Sequence, residues 1–333
     1  MFCLLFACTC STRPRPTRRQ LAHKQTVNLT GETGGTSTYY DYNSAKELEC
    51  RQTVTGECTK SRTTELSHYS YDKAGEQTAI TPEHDTTGST FKYNAAGELS
   101  AITPSGGSEQ ALTYSGSGQA DLTAVGTTTL QNSLLGLTQE TTGTSTNYYA
   151  RTPNGLLVDQ RTPAGKFTPL YDVQGDIIAL VNSSGKAERT FHYGPYGENT
   201  TSEGTQTIPD PFGFKNGYRT PGGNKGETSV ANGLYHYGQR YYDPTTGRWT
   251  QRDALDRLAS PTQGDRFLFA SEDPINLSDP TGRLSACGPA GAVLGFLAEG
   301  PLGAAAGYAA GEFCNEGIEL YREGEEEESE EEY

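Results

Sequence analysis

The sequence lacks the residue clusters that build metal sites and nucleic-acid surfaces. Its seven cysteines include no Cys-x-x-Cys pair and no histidine at matching spacing, so we expect no metal and no cofactor. The 26 Lys and Arg residues are scattered and outnumbered by 41 Asp and Glu, and the net charge of −15 argues against a nucleic-acid partner. Hydrophobic residues make up only 33% and the mean hydropathy is −0.65, so cohesion has to come from half-buried strands.

What the sequence does contain points to strands and turns. It has 40 Gly, 20 Tyr and abundant Thr, but only one Met and one Trp among 333 residues. Threonine and tyrosine favour strands, and frequent glycine favours turns. A chain of this length can bury a substantial core. We therefore predict an all-β fold.

The cysteine positions leave two interpretations open. Cys50 with Cys58 could close a small loop in an oxidising compartment, and Cys287 with Cys314 could bridge a hairpin. Because the total is odd, buried unpaired thiols are an equal alternative.

The N-terminus does not match a secretion signal. An apolar run, MFCLLFACTC, precedes the basic residues, whereas a signal peptide places positive charge first, and the run is too short to span a bilayer. We expect residues 1–37 to be a disordered or truncated start.

A tyrosine-containing unit recurs about every 22 residues. Its instances include Tyr71-Asp72-Lys-Ala-Gly75, Tyr93-Asn94-Ala-Ala-Gly97, Tyr114-Ser-Gly-Ser-Gly118, Tyr149-Ala-Arg-Thr-Pro-Asn-Gly155, Tyr171-Asp172-Val-Gln-Gly175 and Tyr193-Gly-Pro-Tyr-Gly197. A period of 22 residues accommodates two short strands and two turns, which is one β-hairpin. The Asp or Asn after each tyrosine is typical of a turn former, and the glycine supplies positive φ. We expect the tyrosines of successive hairpins to stack along the sheet.

A second kind of segment follows the repeats. It reads Gly233-Leu-Tyr235-His-Tyr-Gly-Gln-Arg240-Tyr241-Tyr242-Asp243-Pro244-Thr-Thr-Gly247-Arg248-Trp249, then Thr-Gln-Arg-Asp253, and it ends in Asp273-Pro-Ile-Asn-Leu-Ser-Asp279-Pro280-Thr-Gly282. This segment resembles the RHS repeat-associated core. Together with the upstream repeats, the resemblance covers roughly residues 38 to 282 and points to the bacterial RHS and teneurin-like YD-shell family.

The resemblance implies a fold and a set of partners. In that family a long β-sheet spirals into a hollow shell, the core segment forms an end plug, and a C-terminal effector, often a toxin, is held inside. The implied partners are the protein's own C-terminal tail or effector, further upstream RHS repeats and an immunity protein. The implied location is secreted or on the cell surface.

The resemblance also implies self-cleavage near Gly282 and Arg283. Many members cut the chain after a terminal Asp-Pro-x-Gly-Leu, using two acidic residues that activate water. Asp253 and Asp279 match the two aspartates. Arg283 stands where the family has leucine, and Ala254 replaces the usual proline.

Structural roles are the simpler interpretation for the rest of the motif. Aspartate before proline forms turns, which suits Asp243 and Asp273. By the same reasoning Arg240, Tyr241, Tyr242, Arg248 and Trp249 are packing and cation–π positions that seal the shell end.

The C-terminal tail, residues 283–333, carries no recognisable enzyme motif. Residues 286–311 are rich in Gly and Ala with four-residue glycine spacing, which predicts a short helical pair, either packed on the shell or inserted in a membrane. Residues 323–332 are a solvated acidic run.

These observations predict four regions: 1–37, the repeats 38–231, the core 232–282 and the tail 283–333. We expect a structural, non-enzymatic shell fragment of an RHS-type polymorphic toxin or wall-associated protein. The alternatives are an autoprotease that releases its own tail, and a membrane-active tail.

Overall fold

The computed structural model describes most of the repeats and of the core. The described residues are 23–26, 36–52, 65–82, 88–115, 119–153, 156–205, 208–220, 233–253, 265–275, 277–279, 282 and 286–287.

Among the described residues, seventeen strands form one large antiparallel sheet. They are β1 (His23–Thr26), β2 (Thr36–Tyr42), β3 (Leu48–Gln52), β4 (Glu65–Tyr71), β5 (Gln77–Pro82), β6 (Ser89–Tyr93), β7 (Leu99–Thr103), β8 (Gln110–Tyr114), β9 (Leu122–Val125), β10 (Thr128–Ser133), β11 (Gly136–Thr142), β12 (Ser145–Arg151), β13 (Leu157–Thr162), β14 (Gly165–Tyr171), β15 (Ile177–Asn182), β16 (Ala187–Tyr193) and β17 (Asn199–Gly204). Each strand pairs with the next one in the chain, so the sheet is a continuous meander.

Six short strands follow the large sheet. A four-stranded sheet contains β18 (Tyr218–Arg219), β19 (Tyr235–Tyr237), β20 (Arg240–Asp243) and β21 (Arg248–Trp249), and a separate pair contains β22 (Leu277–Ser278) and β23 (Ala286–Cys287). The helical turns within the described residues are the 3₁₀ turns Phe214–Asn216 and Ala270–Glu272.

The predicted all-β class of tandem hairpins is confirmed. Two expectations at the ends need correction. Strand β1 and the start of β2 lie within residues 1–37, which were expected to be a disordered or truncated start, so disorder does not hold for residues 23–26 and 36–37. Ala286 and Cys287 form a strand, so the helix expected over 286–311 does not begin there, and the remainder of that range lies outside the described residues.

The units whose tyrosine is followed by Asp or Asn share one turn geometry. Asp172 Oδ1 accepts hydrogen bonds from the backbone N–H groups of Gln174 (2.8 Å) and Asp176 (3.0 Å), and Gly175 has φ +84°. Asp72 and Asn94 form the same two bonds in their own units. A short acceptor side chain followed by a left-handed glycine is what this tight turn requires.

The tyrosines join neighbouring units by hydrogen bonds rather than through the stacked rings that we expected. The acceptor is a backbone carbonyl in the preceding unit, in four bonds: Tyr93 to Gln77 (3.0 Å), Tyr114 to Leu99 (2.7 Å), Tyr171 to Leu157 (2.9 Å) and Tyr193 to Ile177 (3.2 Å). Tyrosine rings at this position of the repeat also contact aromatic side chains of the later segment. Tyr71 contacts Phe267, Tyr149 contacts Phe212 and Tyr193 contacts Phe214. The repeat tyrosines therefore contribute both to contacts between neighbouring units and to contacts between the sheet and the later segment.

The described residues within 208–282, called the core segment below, bind along one rim of the sheet. This rim consists of the turns that follow the unit tyrosines. The contacts are Arg248 Nη2 to Lys46 O (2.8 Å), Gln77 N to Thr250 O (2.9 Å), Gln251 Nε2 to Gly97 O (2.6 Å), Gln119 Nε2 to Gln239 O (3.0 Å), Lys215 N to Asp176 Oδ1 (2.7 Å) and Tyr242 Oη to Tyr196 O (2.6 Å).

These contacts require the sheet to curve. Tyr242 and Arg248 lie on the paired strands β20 and β21, yet they bind the β16–β17 turn and the β2–β3 turn. In a flat sheet with strands about 4.8 Å apart, those two turns would be on the order of 60 Å from each other. The sheet therefore wraps around the core segment, and one hydrophobic cluster joins Phe91 on β6 to Phe191 on β16 through Phe212, Leu234 and Tyr241 of that segment.

Two buried carboxylates lie where the core segment meets the sheet. Burial raises the pKa of Asp176 to about 6, although the Lys215 amide opposes the shift. Burial also raises the pKa of Asp210 to about 6 and outweighs the nearby Arg219, whose Nη2 lies 3.2 Å from the Asp210 carboxylate. Since both pKa values are raised above the ordinary value, protonation stabilises the fold below about pH 4, and this contribution is lost as the pH rises through about 6.

Cys50 is fully buried on β3 and is disulfide-bonded. Of the two interpretations offered for this residue, the structure therefore supports a disulfide. Cys58 lies outside the described residues.

A candidate self-processing site

The backbone of Asp253, four residues after β21, is hydrogen-bonded to Arg266 in both directions. Its N–H donates to the carbonyl of Arg266 (2.9 Å), and Arg266 Nε donates back to the carbonyl of Asp253 (3.0 Å). Four residues earlier, in β21, Trp249 N donates to Phe267 O (2.9 Å). The segment from Trp249 to Asp253 is thereby hydrogen-bonded to Arg266 and Phe267.

Asp279 is buried directly after strand β22. Gly282 follows in a turn with φ +67°, and a Cβ at that position would overlap the carbonyl of Tyr237 and lie 2.8 Å from the backbone nitrogen of Arg240. Only glycine fits this close approach without displacing backbone. The end of the Asp-Pro-Thr-Gly motif is therefore pressed against the β19–β20 turn.

Arg240 joins the two aspartates. Its Nη2 lies 3.0 Å from Asp279 Oδ2 and 3.2 Å from Asp253 Oδ2, and its Nε donates to the carbonyl oxygen of Gly282. The two aspartates selected from the sequence thus meet at one guanidinium nitrogen, and the same guanidinium binds the backbone where the motif ends. A planar, permanently charged fork of donors suits this role better than lysine.

Aromatic rings enclose this cluster. Trp249 lies under the guanidinium, 4.2 Å from its Cζ, and packs against Phe269, Tyr242 and Tyr237. Phe214 extends the same cluster toward the rim. Exclusion of water from these surroundings strengthens every electrostatic contact that Arg240 makes.

His236, on β19, contacts the large sheet rather than this cluster. Its ring stacks on Tyr241 at 4.8 Å, and its Nε2 donates to the carbonyl of Gln119 (2.7 Å). Burial lowers the pKa of His236 to about 4, so the ring is neutral near pH 7. Its position fixes the β8–β9 turn on the core segment.

The remaining residues selected from the motif lie at turns and packing contacts. Asp243 Oδ1 accepts from the backbone and hydroxyl of Thr245, and buried Pro244 occupies the same turn. Gly233 and Gly247 approach other groups closely, because a Cβ there would overlap Thr220 O and lie 2.7 Å from a Tyr196 ring carbon, respectively. Tyr235 and Tyr241 are fully buried, and Arg248 pairs with buried Asp265 at 3.0 Å. Pro280 and Arg283 lie outside the described residues.

Sequence reasoning treated Arg240 as a packing residue and missed its link to both aspartates. It also missed Arg266, Asp265 and the Asp210–Arg219 pair. The signal that could have found Arg240 is chemical: two buried aspartates close together need a nearby cation. Strand β18, before residue 232, pairs with β19 of the core.

No family model matches the sequence. A stretch of 145 residues is 27% identical to the tRNA3(Ser)-specific nuclease WapA of Bacillus spizizenii, covering 41% of this chain and 6% of that protein. A stretch of 137 residues is 31% identical to salivary gland surface protein 1 of Aedes aegypti, covering 41% of this chain and 4% of that protein. The chain thus spans only a few per cent of the length of these curated relatives.

Among solved structures, the crystal structure of TcdB2-TccC3-Cdc42 is similar with a TM-score of 0.44 and 17% identity, covering 74% of this chain and 15% of that one. The crystal structure of TcdB2-TccC3 gives a TM-score of 0.43 over the same share of this chain and 16% of that one. The fold assignment rests on this chain's own strand pairing. Within the residues that the structure describes, no helix is long and apolar enough to cross a membrane.

Proposed function

We propose that the chain is a structural β-shell fragment of an RHS-type polymorphic toxin or wall-associated protein, and that it encloses or presents a C-terminal effector. The observation that carries this proposal is the wrapping of the sheet around the core segment, in which Tyr242 and Arg248 bind turns at opposite ends of the meander. The partial match to WapA supports the same family. The Cys50 disulfide supports an oxidising, secreted or surface location.

Trypsin digestion of the full chain tests enclosure. After Gly282 the basic residues are Arg283 and Arg322 only, so Arg322 is a single reporter near the end of the tail. If the shell encloses the tail, cleavage at Arg322 should be slower by at least about tenfold in the native protein than in the urea-unfolded protein, because proteases need a locally unfolded substrate. Native-state cleavage as fast as that of the unfolded chain would contradict enclosure.

The cluster at Arg240 favours a second function, self-cleavage at the carbonyl of Gly282. In this step a water oxygen adds to the carbonyl carbon while Asp279 takes the water proton. Arg240 stabilises the oxyanion, since its Nε already binds that oxygen. The proton then passes from Asp279 to Asp253, which delivers it to the leaving nitrogen as the carbon–nitrogen bond breaks.

Intact-mass analysis of the purified full chain tests the second function. We expect two fragments that divide next to Gly282, and loss of cutting by at least about 100-fold in Asp279→Asn. Asp273→Asn is the matched control, because Asp273 also precedes a proline but forms no ion pair with Arg240 among the described contacts; its backbone N–H donates to the carbonyl of Ala270. A single wild-type species of full mass would rule out self-cleavage and leave the structural role.

A further inference from the structure

Arg252, the residue before Asp253, reaches from the core segment to the rim of the sheet. Its Nη2 lies 2.7 Å from Glu47 Oε1 in the β2–β3 turn, and its Cζ lies 5.8 Å from the centre of the Phe267 ring. The other oxygen of Glu47 accepts from Asn43 Nδ2 (2.7 Å), which fixes the carboxylate in its turn. Arg252 is therefore oriented by the first hairpins of the sheet.

Gly75 lies directly against the guanidinium of Arg252. Gly75 is buried in the β4–β5 turn, and a Cβ at that position would overlap Nε, Cζ and Nη2 of Arg252. The absence of a side chain is thus what allows the guanidinium to lie between this turn and Glu47. The β2–β3 and β4–β5 turns, both distant in sequence from the core segment, thus together bind the Arg252 side chain.

The contacts that hold Arg252 also determine the position of the next residue, Asp253. Asp253 has its backbone clamped by Arg266 on one side, and on the other side its position follows from where Arg252 is anchored. Displacement of Arg252 would shift the Asp253 carboxylate relative to Arg240. Displacements of about 1 Å in an active site are enough to change rates by up to about 100-fold.

We propose that Arg252 is a positioning residue, and that it couples the self-cleavage site to the folded rim formed by Glu47 and Gly75. This inference rests on the self-cleavage proposed above. Its consequence is that the tail is released only after the first hairpins of the sheet have folded against the core segment. A chain with an unfinished shell would keep its tail attached.

The repeats offer a matched pair of substitutions. Gly75 and Gly175 occupy the same position of their turns, with φ +82° and +84°, so alanine strains both backbones equally. A Cβ at Gly175 meets nothing within 4 Å, whereas one at Gly75 displaces the flexible end of Arg252. The difference between Gly75→Ala and Gly175→Ala therefore isolates the contact with Arg252.

Two measurements on the full chain test the coupling. The first is the rate of tail release by intact mass, which we expect to fall at least about tenfold in Gly75→Ala relative to Gly175→Ala. The second is amide hydrogen exchange at Asp253, whose N–H donates to Arg266, and we expect about tenfold faster exchange in Gly75→Ala only. Arg252→Lys should recover part of both effects seen in Arg252→Ala, because it retains the charge opposite Glu47.

The exchange measurement separates the two proposals. If the wild type is never cut but Asp253 exchanges faster in Gly75→Ala than in Gly175→Ala, self-cleavage fails and the coupling stands. If the two alanine variants are alike in exchange at Asp253, the coupling is overturned whether or not the chain is cut. Equal release rates in a chain that does cut would overturn it as well.

Discussion

Replacing Arg240 with methionine is expected to lower the free energy of unfolding by about 3 to 5 kcal/mol, since removing one partner of a buried ion pair leaves a charge uncompensated. The arginine is 5% exposed and Asp279 is 2% exposed, so water cannot replace the lost cation. Asp253 and the carbonyl of Gly282 lose the same donor. Methionine has a similar length, which keeps the loss of packing small.

Urea unfolding at pH 7 measures this effect, and Arg161→Met is its matched control. Arg161 also lies 3.2 Å from an aspartate, Asp159, but its side chain is 66% exposed. An exposed pair contributes at most about 1 kcal/mol. Adding Asp279→Asn to Arg240→Met should restore part of the stability, because it removes the uncompensated charge. A loss in Arg240→Met no larger than that in Arg161→Met would show that the carboxylates do not depend on this guanidinium.

The hairpin array was predictable because its information is local. In the unit that starts at Tyr171, the acceptor side chain of Asp172, the glycine Gly175 and both strands lie within 22 residues. Side chains that have to meet within a turn leave a signature in a short window of sequence. The all-β class was predictable from composition because threonine and tyrosine favour strands and glycine favours turns.

The site could be predicted only in part because its contacts are long-range. The family resemblance identified Asp253 and Asp279 as candidate catalytic residues, but no short-range sequence pattern indicated that both contact Arg240. The curvature was equally hidden, since the bond between Arg248 and Lys46 joins residues 202 positions apart. The stacking expected of the tyrosines was wrong for a related reason. Buried hydroxyls need acceptors, and backbone carbonyls of the preceding unit provide them.

Truncating Trp249 to alanine should also cost about 3 to 5 kcal/mol, because it leaves a cavity among buried aromatic rings. The indole is 1% exposed and contacts Phe269 at 5.2 Å and Tyr242 at 5.9 Å between ring centres. Arg240 also loses the ring face on which it lies. Trp249→Phe should cost less, because it retains an aromatic ring and removes an indole N–H that has no hydrogen-bond partner in the described structure.

Because Trp249 is the single tryptophan of the chain, its fluorescence reports unfolding of the core segment and far-UV circular dichroism reports unfolding of the sheet. If the sheet is stable only around this segment, the two wild-type urea transitions should coincide. The dichroism transition of Trp249→Ala should then shift as one unit to lower urea. Tyr148→Ala removes an aromatic ring that is 53% exposed, so it should cost at most about 1 kcal/mol. Two separated wild-type transitions, or a sheet transition unmoved in Trp249→Ala, would mean that the sheet does not need the core segment to hold its curve.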